Sequence, residues 1–179
     1  LPVLYYKNLL SGKPEDYAVY AQSPFPKENR LLMIGSDVSS RYTRRNQEEY
    51  GKVVDYICAV ARSHKGNYMV FFPSYRYMES VEEQLQRVGD SSFSWSMQKG
   101  RMREEEREAF LADFERERDR SFVGLCVLGG IFSEGIDLKA ERLEGVIIVG
   151  TGLPMVCTEQ EILKGYFEER MENGYDYAY

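Results

Sequence analysis

"FVGLCVLGGIFSEGID", residues 122–137, opens with seven apolar or small residues and then turns abruptly polar and glycine-rich. An apolar run of that length reads as a strand buried on both faces, of the kind found inside a parallel sheet. The positions after it hold Gly129, Gly130, Ser133, Glu134, Gly135 and Asp137. Two other stretches repeat the arrangement. "YMVFF" (68–72) runs into "PSYRY" (73–77), and "LEGVIIVG" (143–150) runs into "GTGLP" (150–154). The Val-Ile-Ile-Val centre of the last is the strongest strand signal in the chain, and it too reads as buried.

Helical spacing fills the gaps between these runs. Tyr50, Val53, Val54, Ile57 and Val60 mark one face of a helix over 47–62, with Gly66 in "KGN" as its terminator. Met78, Val81, Leu85 and Val88 mark a second. Residues 101–120 read as a charged surface helix with Phe110, Leu111 and Phe114 turned inward. A last helix is expected after Thr158, capped by that residue with Glu161 three positions on, its apolar face formed by Ile162, Leu163, Tyr166, Phe167 and Met171. Phe93–Met97 and "RLLMIGSD" (30–37) are further short strands. Residues 1–30 form an irregular leading segment with a short helix near 5–10. Strands alternating with amphipathic helices give an α/β fold with a parallel sheet. Ligands bind such sheets at the carboxyl ends of the strands. The three polar, glycine-bearing loops therefore fall on one edge.

With 179 residues, 43% hydrophobic and 29% charged, the chain is long enough for one packed domain. A net charge of −6 excludes a protein basic over its whole surface, but not a local basic groove. Cys58, Cys126 and Cys157 lie far apart without a CxxC pair. That spacing argues against a zinc ribbon or an iron–sulfur site, and no metal site is expected. Cys58 and Cys126 read as small core residues. The sparse, odd count fits a reducing, cytoplasmic setting, and no apolar run suits a bilayer or a signal peptide.

Chemistry can be assigned to few residues. Gly129 and Gly130 allow close backbone approach or positive φ, and Ser133 offers a hydroxyl to a phosphate or sugar oxygen. Glu134 and Asp137 could take ribose hydroxyls, a metal-bound water or an arginine. A glycine turn with two solvated acids accounts for the same residues. No GxxxxGK[ST] loop is present, and "GTGLP" lacks the third glycine of a dinucleotide fingerprint and follows a late strand. His64 is the sole histidine, placed at a helix end, and no nucleophile–base set can be assembled. "SSRYTRRN" (39–46) is the densest basic stretch. Arg41 and Arg45 there can grip phosphates and Tyr42 can stack on a base; a solvated loop before a helix is the plainer alternative.

Together these segments resemble the second motor domain of XPD/DinG-like superfamily 2 DNA helicases. "GNYMVFFPSYRYMESV" is similar to the motif IV region (67–77), and "GGIFSEGIDLKAERLEGVIIVGTGLP" to the motif V region (129–154). "SPFPKEN" and the Ser-x-Tyr-x-x-Arg pattern in "SSRYTRRN" fit the same family, so the likeness spans nearly all of 1–179.

The resemblance implies a RecA-like parallel sheet with helices on both faces, the second helicase domain lacking a P-loop of its own. It implies an ATP-driven motor on single-stranded DNA, typically 5′ to 3′. ATP and Mg2+ would be held mainly by a first helicase domain, which carries the P-loop and any iron–sulfur cysteines. By the same resemblance Gly130, Glu134, Gly135 and Asp137 face the nucleotide and interdomain cleft. Arg41, Tyr42, Arg45, Ser74, Tyr75 and Ser133 lie along the DNA strand. The chain stops before the family's motif VI, so no catalytic residue and no ATPase activity are expected of these residues alone. A non-catalytic α/β interaction module derived from such a domain is the alternative.

Overall fold

The computed structural model describes residues 3–10, 13, 15, 17, 19, 21–134, 136, 138, 140–152 and 156–179. The chain divides into two units, Leu1–Gly35 and Ser36–Tyr179. In the first, helix α1 spans Val3–Leu10, and a single 3-10 turn, Lys27–Asn29, follows Pro26. "RLLMIGSD" forms no strand. Its apolar residues run consecutively without alternation, and strand propensity is realised only against a neighbouring strand.

The second unit is built on four parallel strands in the order β2-β3-β1-β4. They are β1 (Asn67–Phe72), β2 (Phe93–Met97), β3 (Ser121–Val127) and β4 (Gly145–Ile148). Helix α2 (Gln47–Ser63) precedes β1, α3 (Tyr75–Val88) joins β1 to β2, and α4 (Glu104–Ala112) joins β2 to β3.

The two central strands carry the long apolar runs because both of their faces are covered. On one face Tyr68, Val70 and Phe72 of β1 and Val123, Leu125 and Val127 of β3 meet Val54 and Ile57 of α2 and Met78, Val81 and Leu85 of α3. On the other, Met69, Phe71, Phe122 and Cys126 meet Phe110 and Phe114 of the α4 region, together with Phe132. The period of two along each strand sorts its residues between the cores. Cys58 and Cys126 are buried core residues, and burial pushes the Cys126 thiol up to about 12.

Five local expectations are corrected. Helix α2 ends at His64 in extended geometry, not at a left-handed Gly66, and the His64 carbonyl accepts from the hydroxyls of Tyr68 (2.8 Å) and Ser121 (3.3 Å). The charged helix is only nine residues long. Arg101 before it has a positive φ of 56°, and after Ala112 the chain doubles back, with Arg118 bound to Asp113 and lying over the Phe122 ring at 4.3 Å. β4 is an edge strand, not a buried one, and Val146 and Ile148 are exposed.

Helix α5 (Thr158–Met171) is preceded by Cys157 rather than capped by Thr158. The Glu159 carboxylate accepts from its own backbone N–H and from the Cys157 thiol, which lowers its pKa. Of the apolar face expected on α5 only Phe167 is buried, stacked on Tyr177 beside α6 (Gly174–Ala178). No helix among the described residues is long and apolar enough to cross a membrane.

Candidate nucleotide and nucleic-acid rim

Because β1, β3 and β4 are parallel neighbours, the loops leaving their carboxyl ends share one rim. The chain leaves β1 and β3 toward opposite faces. After Phe72 it enters α3 on the side of α2. After Val127 it turns to the other side, where Phe132 is fully buried and stacks on Phe110 with ring centres 4.5 Å apart. Adjacent parallel strands whose exits diverge leave a crevice at their ends, the usual ligand position in open α/β sheets.

The β3 exit is a tight turn. Gly130 N–H and the Ser133 hydroxyl both donate to the Val127 carbonyl at 3.0 Å, and Ser133 N–H donates to the Gly130 carbonyl at 3.0 Å. Burial of Phe132 contributes about 1.5–3 kcal/mol, comparable to three such bonds at about 1 kcal/mol apiece. The turn is thus fixed by packing and by hydrogen bonds together. Gly129 has a φ of 69° and nothing within 4 Å of the position a Cβ would take, so its backbone is open to an approaching molecule. Glu134 is exposed. Gly135 and Asp137 lie outside the described residues, as do Leu153 and Pro154 of "GTGLP".

At the β1 exit Ser74 is the N-cap of α3, its hydroxyl accepting from Tyr77 N–H at 3.3 Å. Tyr75 is 37% exposed, and its hydroxyl accepts from Gln98 Nε2 at 2.8 Å. The loop 39–45 joins the same rim. A Cβ on Gly150, at the β4 exit, would overlap the Ser40 side chain, and the Arg45 guanidinium lies 5.2 Å from the Tyr77 ring centre.

The loop is held from below by a buried carboxylate that sequence reasoning missed. Glu49 is 3% exposed; its oxygens accept from Ser39 N–H at 2.7 Å and from Arg44 at 2.5 Å, and Lys52 lies 3.5 Å away. The Ser39 amide foremost, then Arg44 and Lys52, hold its carboxyl below the ordinary range against the opposing effect of desolvation.

The basic residues therefore divide. Arg44 is paired with Glu49. Arg45 is half-buried, donating Nε–H to the Ser40 carbonyl at 3.1 Å and lying over Tyr42 as well as Tyr77. Arg41 and Tyr42 remain exposed, with no side-chain partner for the Arg41 guanidinium among the described residues.

A second residue was missed. Gln98, just past β2, is 1% exposed and sits between the β1 and β3 exits. An uncharged amide in "SMQKG" carries no sequence signal of that position. Among the described residues no group of three His, Cys, Asp or Glu side chains could hold a metal ion.

Residues 57–179 match the helicase C-terminal domain family. Over 167 residues the chain is 27% identical to a probable ATP-dependent helicase of Methanocaldococcus jannaschii, covering 90% of this chain and 25% of that protein. It is 30% identical over 187 residues to the XPD/RAD3 helicase subunit of general transcription and DNA repair factor IIH of Saccharomyces cerevisiae, covering 96% of this chain and 23% of that one. Among solved structures, apo XPD matches with a TM-score of 0.59 and 23% identity over 76% of this chain and 27% of that one. A structure of XPD helicase matches with a TM-score of 0.59 and 24% identity over 78% of this chain and 24% of that one. The fold is thus the α/β RecA-like arrangement of these proteins, and the chain spans about a quarter of the length of the relatives it matches.

Proposed function

Because the chain belongs to the helicase C-terminal domain family, we propose that it is the second motor lobe of an ATP-driven DNA helicase. In this reading it supplies one wall of a nucleotide cleft and part of a single-strand track, and the motor runs 5′ to 3′. The observation that carries the proposal is the gathering of loop 39–45, Ser74–Tyr75 and the 127–133 turn on one rim. These segments are far apart in sequence, and a glycine turn built only to reverse the chain would not need the other two beside it.

Division of labour follows from exposure and charge. Arg41 and Tyr42 face solvent and supply a phosphate contact and a stacking surface. Ser74 and Ser133 keep their hydroxyls close to the backbone, where they shape the track. The open backbone at Gly129, the neighbouring Gly130 and the exposed Glu134 suit the sugar side of a nucleotide, with Gly135 and Asp137 following in the chain. No phosphate loop is present, so the triphosphate and its Mg2+ would be gripped by a first helicase domain across the cleft. When bound, that metal would stabilise charge developing on the transferred phosphoryl group. The residues of this chain orient the nucleotide and transmit closure. Alone they are expected to hydrolyse no ATP.

Fluorescence anisotropy of a labelled oligo(dT) with this chain at low salt tests the reading. Weak binding is expected that falls as salt is raised. An absence of any binding at 20 mM salt, roughly the lower end of useful ionic strengths, would favour an interaction module that kept the fold without the track.

A further inference from the structure

Gln98 makes three hydrogen bonds while almost wholly excluded from water. Its backbone N–H continues the ladder onto the Leu125 carbonyl at 2.8 Å. Its side-chain oxygen accepts from Val127 N–H at 3.1 Å, and that backbone donor fixes which end of the amide is oxygen. The amide nitrogen then donates to the Tyr75 hydroxyl at 2.8 Å. A Cβ on Gly130 would come within 2.9 Å of Gln98 Nε2 and 3.3 Å of Oε1, so the glycine leaves room for the amide. The carbonyl of the same Val127 accepts from Ser133 and Gly130. One side chain therefore links the tip of a solvent-facing tyrosine on the β1 exit to the peptide that anchors the β3 turn.

We propose that Gln98 is a positioning residue that holds the Tyr75 hydroxyl and the 127–133 turn in one register, so that the strand-facing and nucleotide-facing sides of the rim keep a fixed separation. The proposal rests on the reading of the rim as a shared nucleotide and single-strand site. An amide satisfied at both ends inside a protein is stiff, because losing either partner strands a buried polar group. The two exits leave toward opposite faces of the sheet, and only this side chain joins Tyr75 to the Val127 turn by hydrogen bonds among the described residues.

The test compares the wild-type chain with Gln98→Leu, Tyr75→Phe and the double variant, by oligo(dT) anisotropy, thermal melting and backbone amide exchange. Gln98→Leu is expected to weaken oligo(dT) binding roughly 3- to 10-fold while retaining a cooperative melt. The double variant should lose no more affinity than Gln98→Leu alone, since both changes break one link. Tyr75→Phe should speed amide exchange at Val127 and Gly130 several-fold, although no hydrogen bond joins Tyr75 to either residue. Additive affinity losses, or exchange at Val127 and Gly130 unchanged in Tyr75→Phe, would overturn the proposal. If Gln98→Leu does not fold, the exchange measurement on Tyr75→Phe decides. A wild-type chain that binds no oligo(dT) would remove the single-strand reading while leaving the exchange result to judge Gln98.

Discussion

Glu49 turns a loop of arginines into a shaped surface. Its carboxylate takes Ser39 N–H and the Arg44 guanidinium at once, so the loop 39–45 is tied to the first turn of α2 rather than left to solvent. Asn46 caps that helix by accepting from Glu49 N–H at 3.0 Å, which fixes the acid where it can do this. A carboxyl held below its ordinary value of 4.5 binds fewer protons folded than unfolded across that range. Its contribution to stability is therefore complete above the unfolded pKa and is lost as pH falls through the lowered folded value. Glu49→Gln should melt several degrees below the wild type at pH 7, the order expected when a charged hydrogen-bond acceptor is lost. The gap should narrow as the solution is acidified below about pH 4. Melting curves of both chains between pH 7 and 3 check this, and a gap independent of pH would mean that the charge does not hold the loop. The helix was visible in the sequence through its apolar spacing, without its Asn46 cap. That the acid reaches back to Ser39 was not, because the contact depends on how the preceding loop folds over α2.

The β3–α4 layer is packed around a missing side chain. A Cβ on Gly124 would lie 2.5 Å from Phe114 Cζ and 3.1 Å from Phe110 Cζ, and both rings are buried. Gly124→Ala should destabilise the chain by about 1–3 kcal/mol, measured by urea unfolding. Adding Phe114→Leu should recover part of that loss, because the two changes share one space. The strands were legible where burial is two-sided: β1 and β3 have apolar partners above and below, so their runs are continuous. β4 carries an equally apolar Val-Ile-Ile-Val but lies at the sheet edge with alternate residues exposed, and composition cannot distinguish a centre from an edge. The same limit applies to α5, whose apolar stripe is real in sequence yet mostly uncovered. That the polar loops after β1, β3 and β4 share one edge was legible through the alternation of strands and helices. Gln98 was not, since a neutral amide acquires its role only when the β1 and β3 exits converge on it.

At the scale of the whole molecule, the net charge of −6 opposes a polyanion, so any single-strand affinity must come from a local concentration of cations. In the unit Ser36–Tyr179 the arginines of the rim are not equivalent. Arg41 is exposed, whereas Arg45 is half-buried against two tyrosine rings and the Ser40 carbonyl. A cation that only meets phosphate releases counterions on binding, and each such contact contributes about 0.7 to the slope of log affinity against log salt for a single strand. Arg41→Ala should therefore flatten that slope by about 0.7 and leave the melting temperature unchanged. Arg45→Ala should lower the melting temperature as well, because it removes a packed group as much as a charge. Anisotropy titrations of oligo(dT) at four salt concentrations, with a melt of each variant, separate the two. Equal slopes for Arg41→Ala and the wild type would take Arg41 off the strand path. An unchanged melt for Arg45→Ala would mean that its contacts with Tyr42, Tyr77 and Ser40 do not hold the loop to the domain.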